Sequence, residues 1–490
     1  ANQITLQATG EGVGVRMDGK LISAGQLAIA ADGTLVHRGQ IQADGAIELK
    51  ARRMEQSGQT QGAAAVVVDA LQTVHSGQTQ GQSLQLSGQS LDNSGALKAL
   101  SAGLSLTLQE QLSNRAGGQI LSQGDAKLNA DSVQNAGEIT IAGAATVQTQ
   151  NLRNSGQVQT QSSLQVQATQ LDNSGSLAAQ SLSIGGQSLN NSGRAEAQSM
   201  SVVGRGDAAS LTNTGLLAAT HIEVNQLQQL NNSGKISTWI EGQDNSGAVP
   251  SQLTLQVGGV SNVGGSILAA QNLDIQTGLL DNRQGTLGNA QGSVTLQVRQ
   301  LKNVGGSLQQ QGAAGQLNIT ASGAVNNSSG KIEAQGHSLR IEAGELANNS
   351  GQLLQTTQMQ AGQSQPKTQP QMRVVVKATD TASGQLQNIQ GRIASTGDLQ
   401  IAAQAVVTDA TDPRRSQTKQ LQFMDKAKAS SGNGSTGSAY NWQADIAANE
   451  KLESAKADAD KAAAAATSAG TTLAQAQERL SAAQKTADQA

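Results

Sequence analysis

Apolar and polar residues alternate along most of the chain with a period of two. Residues 157–186, QVQTQSSLQVQATQLDNSGSLAAQSLSIGG, show this alternation in several short runs. A period of two places successive side chains on opposite faces of a strand, whereas a helix needs apolar residues three and four positions apart. The pattern therefore predicts short strands that turn Leu, Ile, Val and Ala inward and Gln, Ser and Thr outward.

The strands belong to a repeat that ends in the corner sequence Leu-x-Asn-Ser-Gly or a close variant. LDNSG itself occupies residues 91–95 and 171–175, and related corners recur from Gly58 to Gly351 with a mean step of about 21 residues. A step of this length is typical of solenoids, and each repeat holds two or three short strands. We therefore predict an all-β solenoid, a parallel β-helix with coils of about 20 residues, over residues 1–407.

The asparagine and the glycine of each corner are candidate structural residues. Glycine takes positive φ without steric cost, and asparagine tolerates the left-handed region and bonds its own backbone. Stacked coils would place successive asparagines about 4.8 Å apart, so that one side-chain amide donates to the next. The predicted corner residues are Asn93, Gly95, Asn154, Gly156, Asn173, Gly175, Asn191, Gly193, Asn213, Gly215, Asn232 and Gly234.

Two interruptions of the repeat predict irregular insertions near residues 237–250 and 361–383. The composition agrees with a narrow β-helical interior, because aromatic residues make up 1% of the chain and none precedes Trp239. The regular placement of apolar residues and a net charge of only −3 argue against disorder and against a nucleic-acid partner. The absence of cysteine excludes disulfides and thiolate metal sites.

The chain changes character after residue 407. Residues 408–444 are charged and then rich in Gly and Ser, which predicts a linker. Residues 445–490 place Ala or Leu at every a and d position of a heptad that begins at Leu452. We predict a long Ala-rich α-helix there, truncated and coiled-coil-like, that pairs with a partner helix; the alternative is a solvated single helix. Both ends of the sequence lead us to expect a piece of a longer protein.

No arrangement of residues indicates catalysis, a cofactor or a metal. The Asp of LDNSG is replaced by Arg153, Asn190 or Thr212 in sister repeats, which favours a solvent-facing corner over a repeated site. The four histidines lack companions at metal-ligand spacing. We therefore expect no enzymatic activity, and no catalytic, cofactor or metal residue is predicted. The alternative is a β-helical carbohydrate-active enzyme such as a polysaccharide lyase, which requires clustered carboxylates on one face.

Three of the four aromatic residues, Phe423, Tyr440 and Trp442, lie where the solenoid gives way to the helix. They are candidate partner-binding residues, because aromatic side chains often carry the energy of an interface. The alternative is that they cap the last coil and anchor the helix.

The repeats resemble the haemagglutinin repeats of filamentous haemagglutinin-like exoproteins. The resemblance rests on the LDNSG corners and on the pattern LQNIQGRIASTGDLQIAA over residues 386–403, and it covers about residues 20–407. It implies a right-handed parallel β-helix, two-partner secretion through an outer-membrane transporter, and display on the bacterial cell surface. The family includes large adhesins and contact-dependent growth-inhibition toxins, which are associated with virulence.

Repeat and resemblance together predict a non-enzymatic stalk of a secreted bacterial surface exoprotein. Such a stalk projects an adhesive or receptor-recognition region toward a protein or glycan receptor on a target cell. The repeat leaves open whether the whole protein is an adhesin or a toxin-delivery filament.

Overall fold

The computed structural model describes residues 3–10, 12, 14–238, 251–356 and 371–408 of the chain. None of these residues is helical, and they form 42 strands, β1 to β42 in chain order. The predicted helix at 445–490, nearly all of the predicted linker and most of the first predicted insertion lie outside the described residues. What is described is the predicted solenoid.

The strands up to the first gap, β1 to β23, are Gln3–Ala8, Val15–Met17, Lys20–Ser23, Gln26–His37, Gln40–Ala43, Ile47–Gln56, Gln59–Gly62, Val66–His75, Gln78–Asn93, Ala96–Asn114, Gln119–Ser122, Ala126–Asn129, Ser132–Asn135, Glu138–Ile141, Ala145–Asn154, Gln157–Thr160, Ser163–Asn173, Ser176–Gly186, Ser188–Asn191, Arg194–Gly204, Ser210–Asn213, Leu216–Asn232 and Lys235–Ser237.

The strands after that gap, β24 to β42, are Gln252–Ser261, Ser266–Ala269, Asn272–Asp281, Thr286–Asn289, Val294–Lys302, Ser307–Gln310, Gln316–Ala321, Ala324–Asn326, Lys331–Ala334, Ser338–Ala343, Glu345–Ala347, Gln352–Gln355, Gln371–Val376, Ala378–Thr379, Ala382–Ser383, Gln385–Gln387, Arg392–Ser395, Asp398–Ala403 and Ala405–Val407.

Each coil consists of three extended runs that follow one corner. In the coil after Gly156, the first run is β16, and β17 bends once to supply the second and third runs. Leu164 of this coil lies opposite Leu182 of the next, and Leu171 lies opposite Leu189. The chain thus advances by one strand spacing per coil, and like residues stack on like.

Successive coils pair in parallel along the whole described length. Among the described strands, only the short hairpin of β37 and β38 pairs antiparallel. The result is a parallel β-solenoid of about 19 turns, which confirms the predicted all-β solenoid. At about 4.8 Å per turn its length is roughly 85 Å.

The interior is a single column of aliphatic side chains. Buried Leu, Ile, Val, Ala and Met residues form one continuous cluster from Leu27 to Leu386. Alternation along each strand produces this core, because every second side chain points into the coil and meets its counterparts above and below. Since no coil has a core of its own, stability comes from the contacts between neighbouring coils.

Part of the second predicted insertion is regular. Residues 371–376 form β36, which pairs in parallel with β33 of the preceding coil and β41 of the following one. The hairpin of β37 and β38 follows directly. The irregular stretch within the described residues is therefore shorter than the sequence pattern predicted. The run MRVVV alternates too little for β36 to be recognised as a strand from the sequence.

Candidate functional site

The predicted corner asparagines form one column along an interior edge of the solenoid. All six are 0–5% exposed. Nδ2 of Asn173 donates to Oδ1 of Asn191 at 2.7 Å, and Oδ1 of Asn173 accepts from Nδ2 of Asn154 at 2.8 Å. Nδ2 of Asn173 also donates to the backbone oxygen of Arg194 at 3.1 Å. The amide is therefore paired on both sides within the protein, which offsets the cost of burying it.

The column is longer than the six asparagines that the sequence singled out. Asn-to-Asn hydrogen bonds of 2.7–2.8 Å join fourteen asparagines, which we call the asparagine ladder. The additional members are Asn114, Asn135, Asn262, Asn282, Asn303, Asn327, Asn348 and Asn388. A Leu or Val two positions before each of them is the sequence signal that could have found them.

All rungs of the ladder point the same way. In every pair the asparagine of the earlier coil donates and that of the later coil accepts. Aligned amide dipoles polarise one another, and each bond strengthens the next. At the end of the ladder, Oδ1 of Asn93 has no asparagine donor and accepts from the backbone nitrogen of Gly95 at 3.2 Å.

The corner glycines serve a different purpose from the one expected. Positive φ is absent at all six predicted corner glycines: Gly95, Gly156, Gly175, Gly193, Gly215 and Gly234. A Cβ on Gly175 would instead lie less than 3.0 Å from the backbone oxygen of Gly156 in the preceding coil, and the other five meet equivalent contacts. Glycine is needed there because the backbones of successive corners touch.

A second, longer corner occurs mainly in the later coils. It inserts one residue in the left-handed region between the asparagine and the stacking glycine. Gly117, Gly264 and Gly305 occupy this inserted position, and the glycine that follows each of them makes the close approach. Side chains with a Cβ fill the position elsewhere, at φ of 53–56°, namely Gln284, Ser329, Ser350 and Gln390.

Two histidines and a glutamine continue the column beyond Asn93 toward the N-terminus. His37, Gln56 and His75 align in register with one another and with Asn93, and each is at most 2% exposed. Nδ1 of His75 lies 2.7 Å from Oδ1 of Asn93. Burial lowers the pKa of His75 to about 4, although the hydrogen bond to Asn93 opposes that shift. Burial also lowers the pKa of His37.

Two of the corner aspartates, Asp92 and Asp172, lie at the surface, whereas Asp281 is 7% exposed and pairs with Arg283. Asp92 forms a two-pronged ion pair with Arg115, and Asp172 lies 3.7 Å from Arg153 of the preceding coil. The arginine side chains are well exposed, so these pairs stabilise the protein little. They border a groove of about 810 Å³ along the corner edge.

A second groove of about 710 Å³ follows the bend between the second and third runs. Gln256, Gln276 and Gln297 lie in register with one another in its lining, which also includes Gly258 and Gly278. The lining residues include one charged side chain, Arg299, and no carboxylate. Within the described ranges, no three His, Asp or Glu side chains converge in a way that could hold a metal ion.

The candidate partner-binding residues Phe423, Tyr440 and Trp442 lie outside the described residues. So does the segment predicted to pair with a partner helix. The part of the chain that the structure describes contains no helix long and apolar enough to span a membrane.

Ala195 marks a small void in the core. It stacks between Leu177 and Leu217, and the void is lined by these leucines and their neighbours. We expect Ala195→Val to raise the free energy of unfolding by about 1 kcal/mol, because the added methyl groups fill unoccupied space. Thermal unfolding followed by circular dichroism measures the change. Ala219→Val, at a buried position outside this lining, is the control and should destabilise by overpacking.

No protein-family model, curated protein or solved structure matches this chain.

Proposed function

We propose that the described solenoid is the shaft of a non-enzymatic stalk on a secreted bacterial surface exoprotein. The observation that carries this proposal is the asparagine ladder, which runs through fourteen successive coils without a break. A ladder of this kind fixes the register of each coil on the next. The stacked coils thus form a long rod, which is the structure that a stalk requires.

The contacts between neighbouring coils resist bending of the shaft. From Asn93 onward, each coil is joined to the next by backbone hydrogen bonds on three runs, by the aliphatic column and by one ladder rung. Bending the rod would have to break all of these contacts on one side of the rod at the same time. A stiff shaft of roughly 85 Å holds whatever it carries at a fixed distance from the cell that displays it.

The wider setting of the proposal rests on the resemblance to filamentous haemagglutinin-like exoproteins. The partners are then an outer-membrane two-partner secretion transporter and a receptor on a target cell. The stalk would display either an adhesive region or the delivery end of a growth-inhibition toxin.

Removing whole coils tests the stalk. Deletion of residues 155–191 joins Asn154 to Ser192 and keeps the corner in phase, because it takes out two complete coils. We expect the rod to shorten by about 10 Å in small-angle X-ray scattering while the far-ultraviolet spectrum per residue stays the same. Deletion of residues 155–182 is the control, since it ends within a run and should disrupt the stack.

The competing enzyme predicts a different result. A β-helical polysaccharide lyase or hydrolase would release unsaturated products or reducing ends from a panel of bacterial and host polysaccharides. Turnover by the purified chain, lost on Arg299→Ala in the groove that Gln256, Gln276 and Gln297 line, would overturn the proposal. A scattering profile without a rod-like region would overturn it as well.

A further inference from the structure

The column changes its chemistry at its N-terminal end. From Asn93 onward it consists of asparagine amides, which do not titrate between pH 4 and 8. Before Asn93 it consists of His37, Gln56 and His75, two of which gain a proton in acid. Among the described residues, the column is therefore titratable at its N-terminal end and not along the asparagine ladder.

The direction of the ladder fixes the protonation of His75. Nδ2 of Asn93 donates to Asn114, so Oδ1 of Asn93 must accept, and Nδ1 of His75 is the donor 2.7 Å away. Nε2 of His75 is then the acceptor for the hydroxyl of Thr79, at 3.1 Å. That hydroxyl in turn accepts from Nε2 of Gln56 at 2.6 Å. Both ring nitrogens of neutral His75 thus have a hydrogen-bond partner of the right kind.

A second proton on His75 destroys this match. Nε2 would become a second donor to the Thr79 oxygen beside Gln56, and the Thr79 hydroxyl proton would lose Nε2 as its acceptor and have to turn away. His37 is matched less well, because its Nε2 lies 3.1 Å from the backbone oxygen of Gln59 while its Nδ1 has no hydrogen-bond partner.

No opposite charge faces these rings. On the strands of the same coils, ionisable side chains stand at outward positions of the alternating pattern or in the turns, and His37 and His75 are the inward-facing ones among the described residues. The outward groups nearest in register are Arg16, Asp18, Arg38, Glu48, Lys50, Arg52, Arg53, Glu55, Asp69 and Asp92. Charging either histidine would bury a cation without a partner, which is costly.

We propose that the stretch from His37 to His75 is an acid-sensitive joint, at which the early coils of the shaft open when the two histidines are protonated while the laddered coils stay closed. The inference does not depend on the proposed stalk function. It would give the protein a response to acidic surroundings that is confined to one end of the described shaft.

The expected size of the acid response follows from the pKa of His75, which burial lowers from 6.5 to about 4. A histidine whose folded pKa lies below its unfolded pKa loses stability as pH falls through that window, because the open form binds the proton more tightly. At pH 4.5 this one residue favours the open form by roughly 60-fold relative to pH 7.

Hydrogen exchange of the full chain, measured by mass spectrometry and corrected for the intrinsic pH dependence, tests the joint. Protection of β5 to β8 should fall by roughly 60-fold or more between pH 7 and pH 4.5, whereas β15 to β20 should change less than about threefold. The double variant His37→Asn, His75→Asn continues the ladder chemistry and should abolish the difference. His221→Asn, at an exposed position of β22, is the matched control and should behave like the wild type.

Two outcomes would overturn the proposal. One is equal protection of the two regions at pH 4.5 in the wild type; the other is an undiminished acid response in the double variant. Should the double variant fail to fold, nuclear magnetic resonance of the wild-type imidazoles decides, because a His75 that titrates near pH 6.5 contradicts an acid-sensitive interior.

Discussion

Replacing Asn232 with aspartate is expected to lower the free energy of unfolding of the surrounding coils by about 4 kcal/mol at pH 7. Nδ2 of Asn232 donates to Oδ1 of Asn262 at 2.7 Å and to the backbone oxygen of Ser266 at 3.1 Å. Nδ2 also lies 3.2 Å from the backbone oxygen of Gly234. A carboxylate has no proton to donate, so it would face these three acceptor oxygens. The ladder would break at that rung.

The effect should depend on pH in a defined direction. Burial and the facing oxygens raise the pKa of the new carboxyl group, since both disfavour its charged form. A protonated carboxyl can donate to Asn262, so the loss is greatest above the raised pKa and shrinks as pH falls through it. The melting temperature of the Asn232→Asp variant should therefore lie closer to that of the wild type at pH 5 than at pH 7.

The neighbouring residue supplies the control. Asn231 is exposed, and its Oδ1 accepts from Gln229 at 3.0 Å, a bond that an aspartate retains. Asn231→Asp should change the free energy of unfolding by less than about 0.5 kcal/mol. Equal melting of the two variants would show that the ladder contributes nothing to stability.

Gly175→Ala is the second change with a large expected effect, a loss of about 3 kcal/mol. The new Cβ would press on the backbone oxygen of Gly156, which accepts from the backbone nitrogen of Ser176 at 2.9 Å. Neither backbone can move away without breaking the parallel backbone hydrogen bonds between the two coils. Chemical unfolding gives the size of the loss, and hydrogen exchange at Ser176 should rise.

Gly264→Ala separates this mechanism from backbone conformation. Gly264 has a φ of +67°, and an added Cβ would meet nothing within 4 Å. The left-handed conformation alone should cost about 1 kcal/mol. A larger loss at Gly264 than at Gly175 would contradict the assignment of the corner glycines to close backbone contact.

The repeat period, the alternation and the asparagine corners were readable in the sequence because they are local. Strand alternation shows which side chains turn inward, and a recurring Leu-x-Asn-Ser-Gly shows where each coil closes. A parallel solenoid follows, because each coil of about 20 residues must bury its apolar face on the next.

The glycine mechanism depended on a distance that no sequence states. Whether Gly175 is kept for positive φ or for contact with Gly156 is decided by how closely two corners stack. The longer corners raise the same difficulty, because Gly264 and Gly265 look interchangeable in sequence. Only the register shows that one of them turns the chain and the other touches the preceding coil.

The sequence by itself determined the solenoid, its period and the asparagine corners, because repetition imposes the same local solution on every coil. The tertiary structure alone decided that His37 and His75, which looked isolated along the chain, belong to the same column as Asn93. The physical reason is that a column is built from residues about 20 positions apart, whose hydrogen bonds exist only after the coils have stacked.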